Sequence, residues 1–191
     1  MRLFVALEIP AAVRENLAAQ VKELRDLSAL SGDKRPRWVR PENLHVTLKF
    51  IGEVSATKLD GIRDALSKIR SDAPIDLHFR GLGFFPDEKY PRMLSVGLNA
   101  SANLPALARD IDRALETQGI ALDKRAFTPH LTLGRFEPPG LHEKLRAAIQ
   151  KKSEREFGLF QTSEFHLIES KLKPTGAEYT SLAAFPFTSE A

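Results

Sequence analysis

Four residues, His45-Val46-Thr47-Leu48, recur in closely matching form as His130-Leu131-Thr132-Leu133, 85 positions further along a chain of 191. In an extended strand the side chains alternate between faces, so residues i and i+2 point the same way. His45 and Thr47 therefore share one face, with Leu44, Val46, Leu48 and Phe50 on the other. His130 and Thr132 share a face in the same manner, backed by Leu131 and Leu133. Each strand must bury an apolar row while presenting an imidazole and a hydroxyl. One such strand says little, because a strand histidine is more often structural than chemical. Two of them, in corresponding halves of the chain, predict one site built from two symmetric arms.

The surrounding elements repeat in the same order. Leu3 to Ile9 reads as a buried strand, and Pro10 opens a helix, where proline is tolerated. Val13, Leu17, Val21, Leu24 and Leu27 follow at helical spacing. The first motif strand spans 44–51, Ser55 caps a helix over 56–70, and a strand near 75–82 closes this half. The second half opens with a strand from Met93 to Leu98. A helix from Asn103 to Gln118 carries Leu104, Leu107, Ile111 and Leu115. The second motif strand, 129–136, is followed by a helix over 141–151 and by strands near 163–170 and 178–185. Strand, helix, motif strand, helix, strand thus occurs twice. This predicts two related α+β lobes rather than a doubly wound parallel sheet. The segment 31–37 reads as a polar loop, and no stretch has the composition of a disordered linker.

Composition narrows the function classes. A hydrophobic fraction of 42% supports a real core. The absence of cysteine excludes disulfides and thiolate metal sites. No apolar run reaches the roughly 18 residues of a membrane span. Glu8 interrupts the N-terminal apolar run too early for a signal peptide, so a cytoplasmic location is the expectation. A net charge of +3 and a pI near 9.2 are compatible with an anionic substrate without establishing one. Neither motif histidine belongs to a His-x-His or His-Glu-x-x-His spacing, and the expectation is that no metal or cofactor is bound.

The ordered set of motifs resembles the 2H phosphoesterase superfamily, and within it the RNA 2′,3′-cyclic phosphodiesterases, historically called 2′–5′ RNA ligases. The resemblance runs from Arg2-Leu3-Phe4-Val5-Ala6-Leu7 through Trp38-Val39 and Asn43-Leu44-His45-Val46-Thr47-Leu48-Lys49-Phe50. It continues over Gly83-Phe84-Phe85-Pro86, Pro91-Arg92 and Thr128-Pro129-His130-Leu131-Thr132-Leu133-Gly134-Arg135. It ends at Glu169-Ser170 and Gly176-Ala177-Glu178-Tyr179. The resemblance implies a single domain over 1–191, made of two intertwined, pseudo-symmetric lobes of antiparallel sheet plus helices around a central cleft. It also implies that His45 is the proton donor and His130 the proton acceptor. RNA ends or cyclic nucleotides, tRNA fragments among them, are the implied partners. A monomer without membrane association is the default.

The residues fit that chemistry on their own terms. Hydrolysis of a strained cyclic phosphodiester needs a base for water, an acid for the departing ribose oxygen, and donors for the non-bridging oxygens. Histidine titrates near neutrality and can serve as either acid or base. Thr47 and Thr132 are placed to donate to phosphate oxygens. Arg135 matches a basic substrate-contacting position of the family, but strict alternation turns it away from His130, so a bulge or strand end is required. Phe136 shares parity with His130 and is the candidate for stacking on a base, whereas Phe50 falls on the apolar face and reads as core. Lys34, Arg35, Arg37 and Arg40 either contact an RNA backbone or form a solvated loop. His78, His142 and His166 lack the motif and read as surface or packing residues. Two alternatives remain: a 2H phosphodiesterase for another substrate, such as ADP-ribose cyclic phosphate or 2′–5′ oligoadenylate, and a non-catalytic nucleotide-binding module.

Overall fold

Strands that bury one face and expose the other must be covered by helices on the apolar side. The computed structural model, which describes residues 1–33, 36–137, 140, 143–174 and 176–187, solves this with a nine-stranded sheet and four α-helices. The strands are β1 (Arg2–Glu8), β2 (Pro36–Trp38), β3 (His45–Glu53), β4 (Ile75–Phe85), β5 (Met93–Ala100), β6 (His130–Phe136), β7 (Glu156–Thr162), β8 (Glu164–Lys173) and β9 (Gly176–Pro186). The helices are α1 (Ala11–Leu30), α2 (Leu59–Ser67), α3 (Asn103–Glu116) and α4 (Glu143–Gln150).

The strand order is β7-β4-β5-β6-β3-β1-β8-β9, with β2 added beside β6, and every pairing is antiparallel. Reading outward from the centre, β6-β5-β4-β7 on one side mirrors β3-β1-β8-β9 on the other. The two motif strands are the innermost pair, joined only through Val46 opposite Leu131. The halves are therefore hinged at a narrow seam, and the motif histidines flank it.

The halves interleave more than the sequence pattern suggests. The strand expected to close the first half, β4, pairs instead with β5 and β7 of the second. Likewise α1 packs on β7 and α4, whereas α3 packs on β3 and α2. Each lobe thus carries the helix that follows the other lobe's first strand. Two short strands escape the periodicity argument. β2 begins in the segment read as a polar loop, and its three residues are placed by pairing with β6 and by packing of Trp38 on the core. β7 exposes Leu159 while burying Phe157, so its pattern is weak.

Elsewhere the apolar stripes land as expected. Val13, Leu17, Val21 and Leu24 of α1 are buried, as are Leu104, Leu107, Ile111 and Leu115 of α3. Pro10 stands at the N-cap of α1 rather than inside it. The Ser55 hydroxyl accepts from the Thr57 amide at 3.3 Å and starts a 3₁₀ turn that runs into α2. Among the described residues, no helix is long and apolar enough to cross a membrane.

The seam supplies a test of the packing. Leu131 is fully buried where the two halves meet. Leu131→Ala should destabilise the fold by about 2–5 kcal/mol, the usual range for a core leucine. Chemical denaturation measures this, and a loss well under 1 kcal/mol would mean that the seam is loosely packed.

Candidate active site

Both motif strands break alternation at the same place. Between β1 and β3, Ala6 pairs with Thr47 but Val5 pairs with Lys49, leaving Leu48 as an extra residue. Between β5 and β6, Ser95 pairs with Thr132 but Leu94 pairs with Gly134, leaving Leu133 extra. Each is a β-bulge three residues after the histidine, and a bulge re-aims every side chain beyond it. Leu48 and Lys49 are consequently both buried, as are Leu133 and Gly134. The fifth residue after each histidine then returns to the histidine's own face: Phe50 in one arm, Arg135 in the other.

The bulges bear on three expectations. Arg135 reaches the cleft by the bulge that its assignment required. The aromatic readings are reversed. Phe136 is 1% exposed and belongs to the core, while Phe50 is 61% exposed and lines the cleft. Parity counted from the histidine fails at both positions because the extra residue shifts it by one. At Gly134 the missing Cβ leaves room for the Trp38 ring, which a methyl group would meet at 3.2 Å.

The two imidazoles are held alike. His45 Nδ1 lies 2.6 Å from the Asn43 carbonyl, and His130 Nδ1 lies 2.8 Å from the Thr128 carbonyl. A carbonyl only accepts, so Nδ1 carries the proton in each ring and Nε2 is left free for chemistry. Asn43 is itself anchored, its side chain donating to the Ala177 carbonyl at 2.8 Å. The environments differ. His45 sits between Phe4, 4.7 Å away between ring centroids, and Tyr179, edge-on at 5.4 Å. His130 has Phe85 parallel to it at 6.3 Å. Burial in the aromatic cage pulls the His45 pKa below the usual histidine value. The Asn43 hydrogen bond opposes this, and the positive charges of Arg135 and His130 reinforce it. Burial also raises the Tyr179 phenol, against the pull of Arg135 and Arg2, so it remains a neutral donor.

The arms face a common cleft of about 610 Å³. His45, Thr47, Phe50, His130, Thr132 and Arg135 all line it, together with Arg2, Phe4, Asn43, Ser170 and Tyr179. Sequence reasoning about the site missed this second group, whose members come from β1, β8, β9 and the turn before β3. Arg37 and Arg40 lie off the cleft lining; Arg37 pairs with Glu137 at 3.3 Å, and Arg40 lies 3.8 Å from Glu42. Lys34, Arg35 and His142 lie outside the described residues. His78 pairs with Glu156 on the β4–β7 edge, and His166 contacts Ser181 and Glu164; neither lines the cleft. Among the described residues, no group of three or more His, Cys, Asp or Glu side chains is placed to hold a metal ion.

Two pseudo-symmetric strands, each presenting a histidine and a threonine to one cleft, define the 2H phosphoesterase fold. Comparison with known proteins carries this to the family. Residues 13–174 match the model of the 2′-5′ RNA ligase superfamily. An RNA 2′,3′-cyclic phosphodiesterase of Archaeoglobus fulgidus is 36% identical over 97% of this chain and 99% of its own length. One from Methanocaldococcus jannaschii is 34% identical over 94% and 96%. A crystal structure of a Thermus thermophilus protein superposes with a TM-score of 0.79 at 29% identity, covering 98% of both chains. Escherichia coli LigT complexed with 3′-AMP gives 0.72 at 26% identity, again over 98% of both. The chain belongs to the 2′-5′ RNA ligase superfamily, in the family of the RNA 2′,3′-cyclic phosphodiesterases.

The aromatic cage generates a spectroscopic expectation. In an NMR titration of the free protein, His45 should titrate below 6.5, its unperturbed value. Phe4→Ala opens the cage to water and should move the midpoint upward. A wild-type midpoint at or above 6.5 would contradict the account of burial.

Proposed function

We propose that this protein hydrolyses RNA 2′,3′-cyclic phosphate ends to 2′-phosphomonoesters by acid–base catalysis between His45 and His130. The observation that carries the reading is the pair of imidazoles on one cleft, each with Nδ1 tied to a carbonyl two residues back and Nε2 free. The relatives' phosphodiesterase names and the LigT complex with 3′-AMP support a nucleotide phosphate as the occupant.

In this mechanism His130 Nε2 takes a proton from water as its oxygen bonds to phosphorus. The bond from phosphorus to the ribose 3′ oxygen breaks, and protonated His45 gives its Nε2 proton to that oxygen. One ring from each arm of the cleft supplies the acid and the base that in-line displacement needs. Thr47 and Thr132 donate to the non-bridging oxygens, and Arg135 offsets their charge. Acid, base and charge neutralisation are all supplied by side chains, so the reaction proceeds without a metal ion. Burial favours the neutral form of His45 before substrate arrives. The phosphodiester anion between the arms favours its protonated form, and transfer of that proton to the leaving oxygen relieves a buried positive charge. Phe50, exposed on the same face, stacks on a base of the RNA end. Ligation is the same step with an RNA 5′ hydroxyl in place of water: its oxygen bonds to phosphorus, the bond to the ribose 3′ oxygen breaks, and a 2′–5′ linkage with a free 3′ hydroxyl results.

A short RNA ending in a 2′,3′-cyclic phosphate tests the proposal. The product should carry a 2′-phosphate and a free 3′ hydroxyl, and turnover should persist in EDTA. A 3′-phosphate product, or loss of activity in EDTA with recovery on adding a divalent ion, would overturn it.

A further inference from the structure

Behind the cleft, one charged side chain is buried on the opposite face of the motif strand. Lys49 is 2% exposed. It follows the Leu48 bulge on β3, four residues after His45, and the equivalent place in the other arm is Gly134. An isolated buried ammonium is costly, so its partners define why it is there. Lys49 Nζ reaches Asp112 Oδ1 at 2.5 Å, Asp123 Oδ1 at 3.0 Å and the Ala121 carbonyl at 2.8 Å. Three partners match the three donor protons of a lysine. Burial pulls the ammonium down, but the bonds and charges of Asp112 and Asp123 outweigh it and leave the pKa raised. Lys49 stays charged.

Two of these partners lie in the irregular segment that joins α3 to β6. From 120 to 129 the chain forms no helix or strand, so its course is set by tertiary contacts. Asp112 of α3 also accepts from the Asp123 amide at 3.1 Å, which closes the network around the start of this segment. Further along, Phe127 packs on the core, and Thr128 offers the carbonyl that holds His130 Nδ1. The strand that carries His45 thus anchors the segment that delivers His130.

We propose that Lys49 is a positioning residue for His130, tying the second catalytic arm to the first through the 120–129 segment. The proposal rests on the reading that His130 takes part in catalysis. It is separable from that reading because the orientation of an imidazole is observable without substrate. Misplacing a catalytic group by about 1 Å lowers turnover by roughly 100-fold.

Lys49→Met keeps the apolar stem and removes the charge. It should lower kcat by about 10- to 100-fold with KM little changed. In NMR spectra of the substrate-free protein, the His130 Nδ1–H signal should broaden or shift while that of His45 is retained. Asp123→Asn, at a half-exposed carboxylate, should give the same pattern at smaller size, and it decides the matter if Lys49→Met does not fold. Adding Asp112→Asn and Asp123→Asn to Lys49→Met removes the uncompensated carboxylates and should recover stability without recovering kcat. Full kcat and an unchanged His130 signal in the folded single variants would overturn the proposal. So would recovery of kcat in step with stability, since that marks a purely structural role. A changed His130 signal with unchanged kcat would support the tether and count instead against the catalytic reading of His130.

Discussion

Two β-bulges, each three residues past a histidine, decide which side chains meet in this protein. Without them, alternation would place Phe50 and Arg135 against the helices and bring Lys49 and Gly134 to the cleft. With them, each arm presents a histidine, a threonine and a fifth residue of its own kind, aromatic in one arm and cationic in the other. The repeated arm is therefore more than a four-residue motif. It is a strand geometry used twice, and in the proposed mechanism the difference at the fifth position divides labour between stacking and charge neutralisation.

The same geometry accounts for what lies behind the cleft. The bulge turns Lys49 inward, where two carboxylates and a carbonyl satisfy it, and turns Gly134 inward, where Trp38 fills the space. Equivalent positions thus hold the halves together by different means. Asymmetry also appears at the histidines. Phe4 and Tyr179 dehydrate His45, whereas His130 lies parallel to Phe85. A two-fold scaffold thus places its two imidazoles in different surroundings, which suits the separate acid and base roles proposed for them.

Much of this was legible in the chain. His45 with Thr47, and His130 with Thr132, follow from alternation over two residues, too short a span for a bulge to intervene. The helices follow from apolar spacing, and the repeated order of elements anticipated the symmetry. Alternation over five residues failed, and with it the assignments of Phe50 and Phe136. Bulges are fixed by pairing with β1 and β5, which no local pattern encodes. The exchange of β4 into the second half is likewise a long-range pairing. Arg2, Phe4, Asn43 and Tyr179 went unassigned as site residues because strands remote in sequence bring them together. All four fell within the stretches of family resemblance, and that was the only signal pointing to them.

The central claim is that His45 and His130 act as one unit on one substrate, and a double-mutant cycle measures this directly. His45→Ala and His130→Ala should each reduce turnover of a 2′,3′-cyclic phosphate end by about 10²–10⁴-fold, the usual contribution of a general acid or base. The double variant should lose far less than the product of the two, because removing either partner already disables the shared step. Losses that multiply in full, or a single variant that retains wild-type turnover, would contradict a two-histidine mechanism.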